Sequence, residues 1–266
     1  MPSPVHPDHD GGSPGEAERS PPSRPPLLVR PERSLAGGQA ESNGPRLCLV
    51  TDRHLMGLGD VVTAGDAARF AAAIARALDG VSAGAAWLQV REKDLGGRAL
   101  AALVRVALDV ARPRGVAVVV NERLDVALAT GADGVHLPED SLDVEVARAV
   151  AGSLVIGASR HAAGAAVDAA RAGADLVQLG PIFATPSKAA YGAPLGLDAL
   201  RATRAALTAA GLTSRLVAVG GIDSPARARE AIVAGADAVA VIRAIWSAAA
   251  PAATARALAA SCAAPA

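Results

Sequence analysis

From Arg46 onward the chain alternates short runs of Val, Ile and Leu with longer Ala-rich stretches. Short apolar runs without polar alternation suit strands buried on both faces, as in a parallel sheet. Eight strands are predicted, starting near Leu47, Ala85, Val116, Gly134, Leu154, Asp175, Leu216 and Asp237. A helical stretch follows each, and the one after Val116 is short. A partial repeat marks the junctions. Thr130-Gly131-Ala132-Asp133-Gly134-Val135 recurs as Ala172-Gly173-Ala174-Asp175-Leu176-Val177 and as Ala234-Gly235-Ala236-Asp237-Ala238-Val239. Each copy ends a helix at a glycine and then opens a strand. Eight βα units over about 220 residues predict an α/β chain folded as a (β/α)8 TIM barrel. A doubly wound open sheet would call for a Gly-rich dinucleotide turn after the first strand. The first strand instead runs into Val50-Thr51-Asp52-Arg53-His54.

Residues 1–44 have a different texture, rich in Pro, Ser, Gly and charge, as in Pro21-Pro22-Ser23-Arg24-Pro25-Pro26. Such a segment buries too little apolar surface to offset its ordering entropy. It is expected to be a disordered tail, with residues 45–266 forming the barrel domain. It lacks the apolar core of a secretory signal.

In a barrel the chemistry gathers where strands end. The second strand, Ala85-Ala86-Trp87-Leu88, runs into Gln89-Val90-Arg91-Glu92-Lys93. Alternation along a strand places Gln89, Arg91 and Lys93 on one side if strand geometry persists. Two neighbouring cations need an anionic partner, and a phosphate or diphosphate fits. A plain alternative is a solvated strand end at which Glu92 and Asp94 neutralise the charge. The other ends are Thr51-Asp52, Asn121-Glu122-Arg123, His136 to Ser141, Ser159-Arg160-His161, Gly180 to Phe183, Gly220-Gly221 and Ile242-Arg243. Gly220-Gly221 lies after the seventh strand, where barrels commonly bind phosphate. Thr185 and Ser187 offer hydroxyls and Lys188 a third cation, so two anion subsites are expected. His136 and His161 also stand at strand ends, where a lone histidine is more often structural. Glu122, Glu139 and Asp140 offer carboxylates suited to Mg²⁺, although such positions also serve as helix N-caps.

Composition narrows the classes. Hydrophobic residues are 51 % but aromatics only 2 %, so the core is built of Ala, Val, Leu and Ile. Lys plus Arg equals Asp plus Glu at 26 each. No basic excess points to nucleic acid or to an anionic membrane, so the expected anion is small and locally bound. Cys48 and Cys262 form neither a disulfide framework nor a metal spacing, and a reducing cytoplasm is the expected compartment. No apolar run reaches the roughly 20 residues needed to span a bilayer.

These residues, in this order, resemble the thiamine phosphate synthase and thiazole tautomerase family from about Leu47 to Ile245. The resemblance rests on Gln89-Val90-Arg91-Glu92-Lys93, on Gly134-Val135-His136-Leu137, and on Gly180-Pro181-Ile182-Phe183 with Thr185 to Lys188. It implies a transferase that joins an aminopyrimidine methyl diphosphate to a thiazole phosphate, releasing diphosphate, with Mg²⁺. By analogy Arg91, Lys93, Asn121 and Lys188 hold the diphosphate, helped by Gln89 and Ser159. Thr185, Ser187, Gly221, Ile242 and Arg243 line the thiazole phosphate site. The chain departs from the synthase pattern in three places. Glu122 stands for an Asp, Ser141 stands for a second Asp just after Glu139 and Asp140, and Arg243 replaces a small residue. Glu122 and Asp140 are the expected metal ligands. A thiazole tautomerase, with His161 as acid or base, and a non-catalytic regulator that binds a phosphate ligand are the alternatives.

Overall fold

The computed structural model describes residues 44–60, 62–185 and 193–263. Eight parallel strands close into a barrel in chain order. They are β1 (Leu47–Val50), β2 (Ala86–Val90), β3 (Ala117–Asn121), β4 (Gly134–Leu137), β5 (Val155–Arg160), β6 (Leu176–Leu179), β7 (Arg215–Val219) and β8 (Ala238–Val241). Each begins within one residue of its expected start. The helices are α1 (Ala64–Leu78), α2 (Gly97–Ala111), α3 (Leu124–Thr130), α4 (Val144–Ala151), α5 (Ala163–Arg171), α6 (Gly196–Ala209), α7 (Pro225–Val233), α8 (Arg243–Trp246) and α9 (Pro251–Cys262). The helix after β3 is short as expected, at 7 residues, although α8 is shorter still at 4. Of the expected disordered tail, 1–44, residues 1–43 lie outside the described residues, as do Ser187 and Lys188.

Strand alternation separates two cores. Leu47, Leu49, Leu88, Val118 and Val120 face the ring of helices. Cys48, Val50, Trp87, Val119, Val155, Leu176 and Val217 fill the barrel interior. The small side chains Ala117, Ala238 and Ala240 join the interior set beside Trp87, so one indole does much of the filling in a chain poor in aromatics. Both cysteines are buried free thiols.

The three repeated junctions share one task at the start of the strands. Asp133 accepts a hydrogen bond from the Val118 amide at 2.8 Å, Asp175 from Ile156 at 2.8 Å, and Asp237 from Leu216 at 2.7 Å. Each carboxylate thus caps the neighbouring odd-numbered strand. Each also faces an arginine. Arg148 meets Asp175 at 2.5 Å, Arg204 pairs with Asp237, and Arg112 lies 4.0 Å from Asp133. These clamps belong to the end of the barrel opposite the chemistry, where residues serve stability.

Candidate active site at the strand ends

Above Trp87 the interior turns polar. Gln178 of β6 donates through Nε2 to Gln89 Oε1 of β2 at 2.8 Å. Gln89 in turn donates through Nε2 to Asn121 Oδ1 of β3 at 3.2 Å. The Cys48 thiol below also donates to Gln89 Oε1, at 3.8 Å. Gln89 is only 2 % exposed, so its carboxamide works inside the protein. Asn121, 7 % exposed, closes β3 and reaches the mouth.

Beside this chain of amides, His136 of β4 places Nε2 2.7 Å from Ser159 Oγ of β5. Room for the imidazole comes from Gly157, where a Cβ would stand 2.5 Å from Nδ1. Burial, reinforced by the charges of Arg160 and Arg91, pushes the imidazole pKa down to about 3, so His136 is neutral at pH 7. Arg160 ends β5, half-buried, and donates through Nη1 to the Ser159 carbonyl at 2.7 Å. It is a further cation near His136, and the strand-end position beside Ser159 was its signal in the sequence.

Glu92 and Asp94 do not neutralise Arg91 and Lys93. Both serve Arg53, which sits beyond β1 and is 1 % exposed. Arg53 Nη1 lies 3.3 Å from Glu92 Oε2 and 2.6 Å from Asp94 Oδ1, and Nη2 pairs with Asp94 Oδ2. The Thr51 hydroxyl donates to Glu92 Oε1 at 2.6 Å and accepts from the Arg91 amide at 2.9 Å. Desolvation raises the Glu92 pKa, opposed by the bonds from Thr51 and Arg53. The guanidinium beside Asp94 holds that carboxyl well below the usual carboxylate range. A pairing some 40 residues apart in sequence is invisible to local pattern. Its result is that Arg91, Lys93, Arg160 and Arg243 meet no carboxylate among the described residues. β2 ends at Val90, so Lys93 stands in the turn that follows, exposed, while Arg91 is half-buried.

The β6 and β7 ends run side by side. The Ile182 amide donates to Val219 O at 2.9 Å and the Phe183 amide to Gly220 O at 3.0 Å. Gly221 has φ of +68°, and a Cβ there would lie 2.6 Å from Phe183 O, so this close approach excludes any side chain. Arg227 fastens the turn by donating to Gly221 O at 2.9 Å and lying over the Phe183 ring. Thr185 follows, half-buried, and Ile242 and Arg243 stand across β8 at the start of α8.

Neither expected metal ligand is a helix cap. α3 begins behind Arg123 and α4 behind Asp143, which leaves Glu122 and Asp140 in the turns. Glu122 adopts the left-handed region at φ 67°, uncommon for a glutamate, with its amide donating to His136 O at 2.7 Å. Among the described residues no cation pairs with either carboxylate. Two free hard oxygen donors on adjacent strand ends suit Mg²⁺, which takes one or two carboxylates and completes its shell with phosphate and water. A separate group, His54, Asp60 and Asp94, brings three potential ligand atoms within 4.8 Å of one another, but Asp94 is already held by Arg53. His161 pairs with Glu139 at 3.5 Å through Nε2 and with the Gly180 carbonyl through Nδ1, tying the β4 and β6 loops to the end of β5.

Residues 47–245 match the family model described as thiamine monophosphate synthase. A putative thiamine-phosphate synthase of Geobacter sulfurreducens is 42 % identical over 213 residues, covering 80 % of this chain and 92 % of its own. A thiamine-phosphate synthase of Methanoculleus marisnigri is 44 % identical over 203 residues, covering 76 % and 88 %. Among solved structures, a thiamine phosphate pyrophosphorylase from Pyrococcus furiosus superposes with a TM-score of 0.69 at 29 % identity, covering 83 % of this chain and 96 % of its own.

Proposed function

The chain belongs to the thiamine monophosphate synthase family and is a transferase of thiamine biosynthesis; on that premise we propose how its own residues perform the reaction. The substrates are an aminopyrimidine methyl diphosphate and a thiazole phosphate. The bond between the pyrimidine methylene and the diphosphate oxygen breaks, and the thiazole nitrogen takes the carbon, giving thiamine phosphate and diphosphate.

The observation that carries this reading is the set of cations without carboxylate partners among the described residues at the mouth of a protein whose formal net charge is zero. Arg91, Lys93 and Arg160 receive the diphosphate, joined by Lys188 from outside the described residues. Negative charge grows on the leaving diphosphate as the bond breaks, and cations already in place favour that state. Because Arg53 occupies Glu92 and Asp94, these cations need not be stripped of internal partners before the anion arrives. Asn121 adds a neutral donor. Gln89, enclosed on both sides by amides, acts through Asn121.

Ser159 contributes a hydroxyl whose direction His136 sets. The neutral ring carries one proton, and Nδ1 faces the backbone of Gly157 with no acceptor among the described residues. The proton belongs on Nε2, which donates to Ser159 Oγ and leaves the serine O–H to donate to a phosphate oxygen. Thr185, Gly221, Ile242 and Arg243, with Ser187, line the thiazole phosphate subsite. Glu122 and Asp140 would hold Mg²⁺, which when bound neutralises diphosphate charge.

The test is thiamine phosphate formation from both substrates by the full chain, with Mg²⁺ and then with EDTA. Product is expected only with the metal. Folded protein that binds thiazole phosphate yet makes no product under either condition would refute the reading. Product that persists in EDTA would remove Glu122 and Asp140 from their assigned role.

A further inference from the structure

Gln178 is an anomaly on its strand. It is the third of the four residues of β6, in Leu176-Val177-Gln178-Leu179, and is only 5 % exposed. Burying a carboxamide there is costly unless hydrogen bonds compensate it. It reaches across the barrel to Gln89, 89 residues away in sequence.

A carboxamide is polar in direction: one end accepts and the other donates. Two donors converge on Gln89 Oε1, the Gln178 amide at 2.8 Å and the Cys48 thiol at 3.8 Å. The Gln89 NH2 is therefore turned toward β3, where it must find an acceptor, and Asn121 Oδ1 receives it at 3.2 Å. With its oxygen engaged, Asn121 presents its own NH2 on the other side. That nitrogen has no partner among the described residues, and it is not sealed from water. If Gln178 offered an acceptor instead, the chain would turn round, and Asn121 would present an oxygen to the mouth.

We propose that Gln178 is a positioning residue, setting the direction of the Gln178–Gln89–Asn121 chain so that Asn121 offers N–H donors to an anionic oxygen of the pyrimidine diphosphate. This rests on the assignment of Asn121 to the diphosphate given above. A donor in this direction attracts a phosphate oxygen, and the reversed amide repels it.

The experiment is a double-mutant cycle read by calorimetric titration of inorganic diphosphate into the full chain. The proteins are wild type, Gln178→Met, Asn121→Ala and the double variant. Gln178→Met is expected to weaken diphosphate roughly tenfold, the scale of one hydrogen bond to a charged group. It should add nothing in the Asn121→Ala background, because both changes act through the same contact. A Gln178→Met protein that binds diphosphate as wild type does, or whose loss adds in full to that of Asn121→Ala, overturns the proposal. Gln178→Glu gives a second reading if the Met variant does not fold. Protonated, the introduced carboxyl donates as Gln178 does; ionised, it only accepts. Its diphosphate affinity relative to wild type at the same pH should fall as pH rises, and a flat ratio overturns the proposal. Thiamine phosphate formation by wild type separates the two levels. Turnover with an unaffected Gln178→Met removes only the relay, whereas a wild type that neither turns over nor binds diphosphate removes both.

Discussion

Arg53→Met tests the link between the buried ion pair and the mouth. Arg53 binds Glu92 and Asp94 and also donates to the carbonyls of Gly59 at 3.0 Å and Asp60 at 3.3 Å. Methionine fills much of the same space without the charge. Glu92, 2 % exposed at its side chain, would then be a buried carboxylate with only Thr51 and a backbone amide to hold it. Breaking a buried pair from one side costs about 3–5 kcal/mol, a large part of the 5–15 kcal/mol typical of a whole domain. For a barrel of this size that is a drop of roughly 10 °C in melting temperature. The pH dependence has a fixed sign. Burial already raises the Glu92 pKa, and losing Arg53 raises it further. A carboxyl whose folded pKa lies above its unfolded value of about 4.3 contributes stability at low pH and loses it as pH rises through the folded value. The gap between wild type and Arg53→Met should therefore be wider at pH 8 than at pH 5. Glu92→Gln in the same background should restore most of the loss by removing the stranded charge. Urea unfolding of the three proteins at both pH values measures all of this. A single-variant loss below about 1 kcal/mol, or a gap identical at pH 5 and pH 8, would refute the argument, since a buried pair of this kind is expected to exceed it.

Three further outcomes follow from other parts of the molecule. The depressed pKa of His136 means that the unfolded chain takes up a proton near pH 6.5 that the folded protein refuses until about 3. Stability present above pH 6.5 is lost as pH falls, by about 2 kcal/mol at pH 5. His136→Gln should flatten that slope in denaturant unfolding, and an unchanged slope would show that other groups produce it. Asp175→Ala removes the cap on Ile156 and the partner of Arg148. It should cost about 2–4 kcal/mol with kcat at permissive temperature close to wild type, and a large kcat loss in a folded variant would contradict its distance from the mouth. Arg160→Ala should raise KM for the pyrimidine diphosphate roughly tenfold while leaving that for thiazole phosphate alone. Equal effects on both would place Arg160 outside the diphosphate subsite.

The barrel was legible because its strands are continuous apolar runs and its helices end at glycines. The Gly-Ala-Asp junctions were visible as a repeat, but the work of their aspartates was not, since each caps a strand that precedes it by 15 to 21 residues. The mouth was legible in residue type and less so in partnership. Arg91 and Lys93 were readable as cations, whereas the fate of Glu92 and Asp94 depends on Arg53, carried by a different loop. Gln89 read as a side chain facing the ligand, and only the packing of three strands shows its amide enclosed. Gln178 gave no local signal, because one polar residue in an apolar strand has no meaning until its opposite number is known.

The even balance of 26 basic and 26 acidic residues conceals an uneven field. Aspartates and arginines pair at the start of the strands, and Arg53 engages two more acids near their ends. At the mouth Arg91, Lys93, Arg160 and Arg243 meet no carboxylate among the described residues, although Glu122 and Asp140 stand there too, and the helices returning from each strand point their positive N-terminal ends the same way. A protein of zero formal net charge thereby gathers cations without carboxylate partners at one end of the barrel axis. Association of anionic substrates with that end should therefore slow as salt rises, whereas a bond-breaking step shielded within the site should respond little to ionic strength.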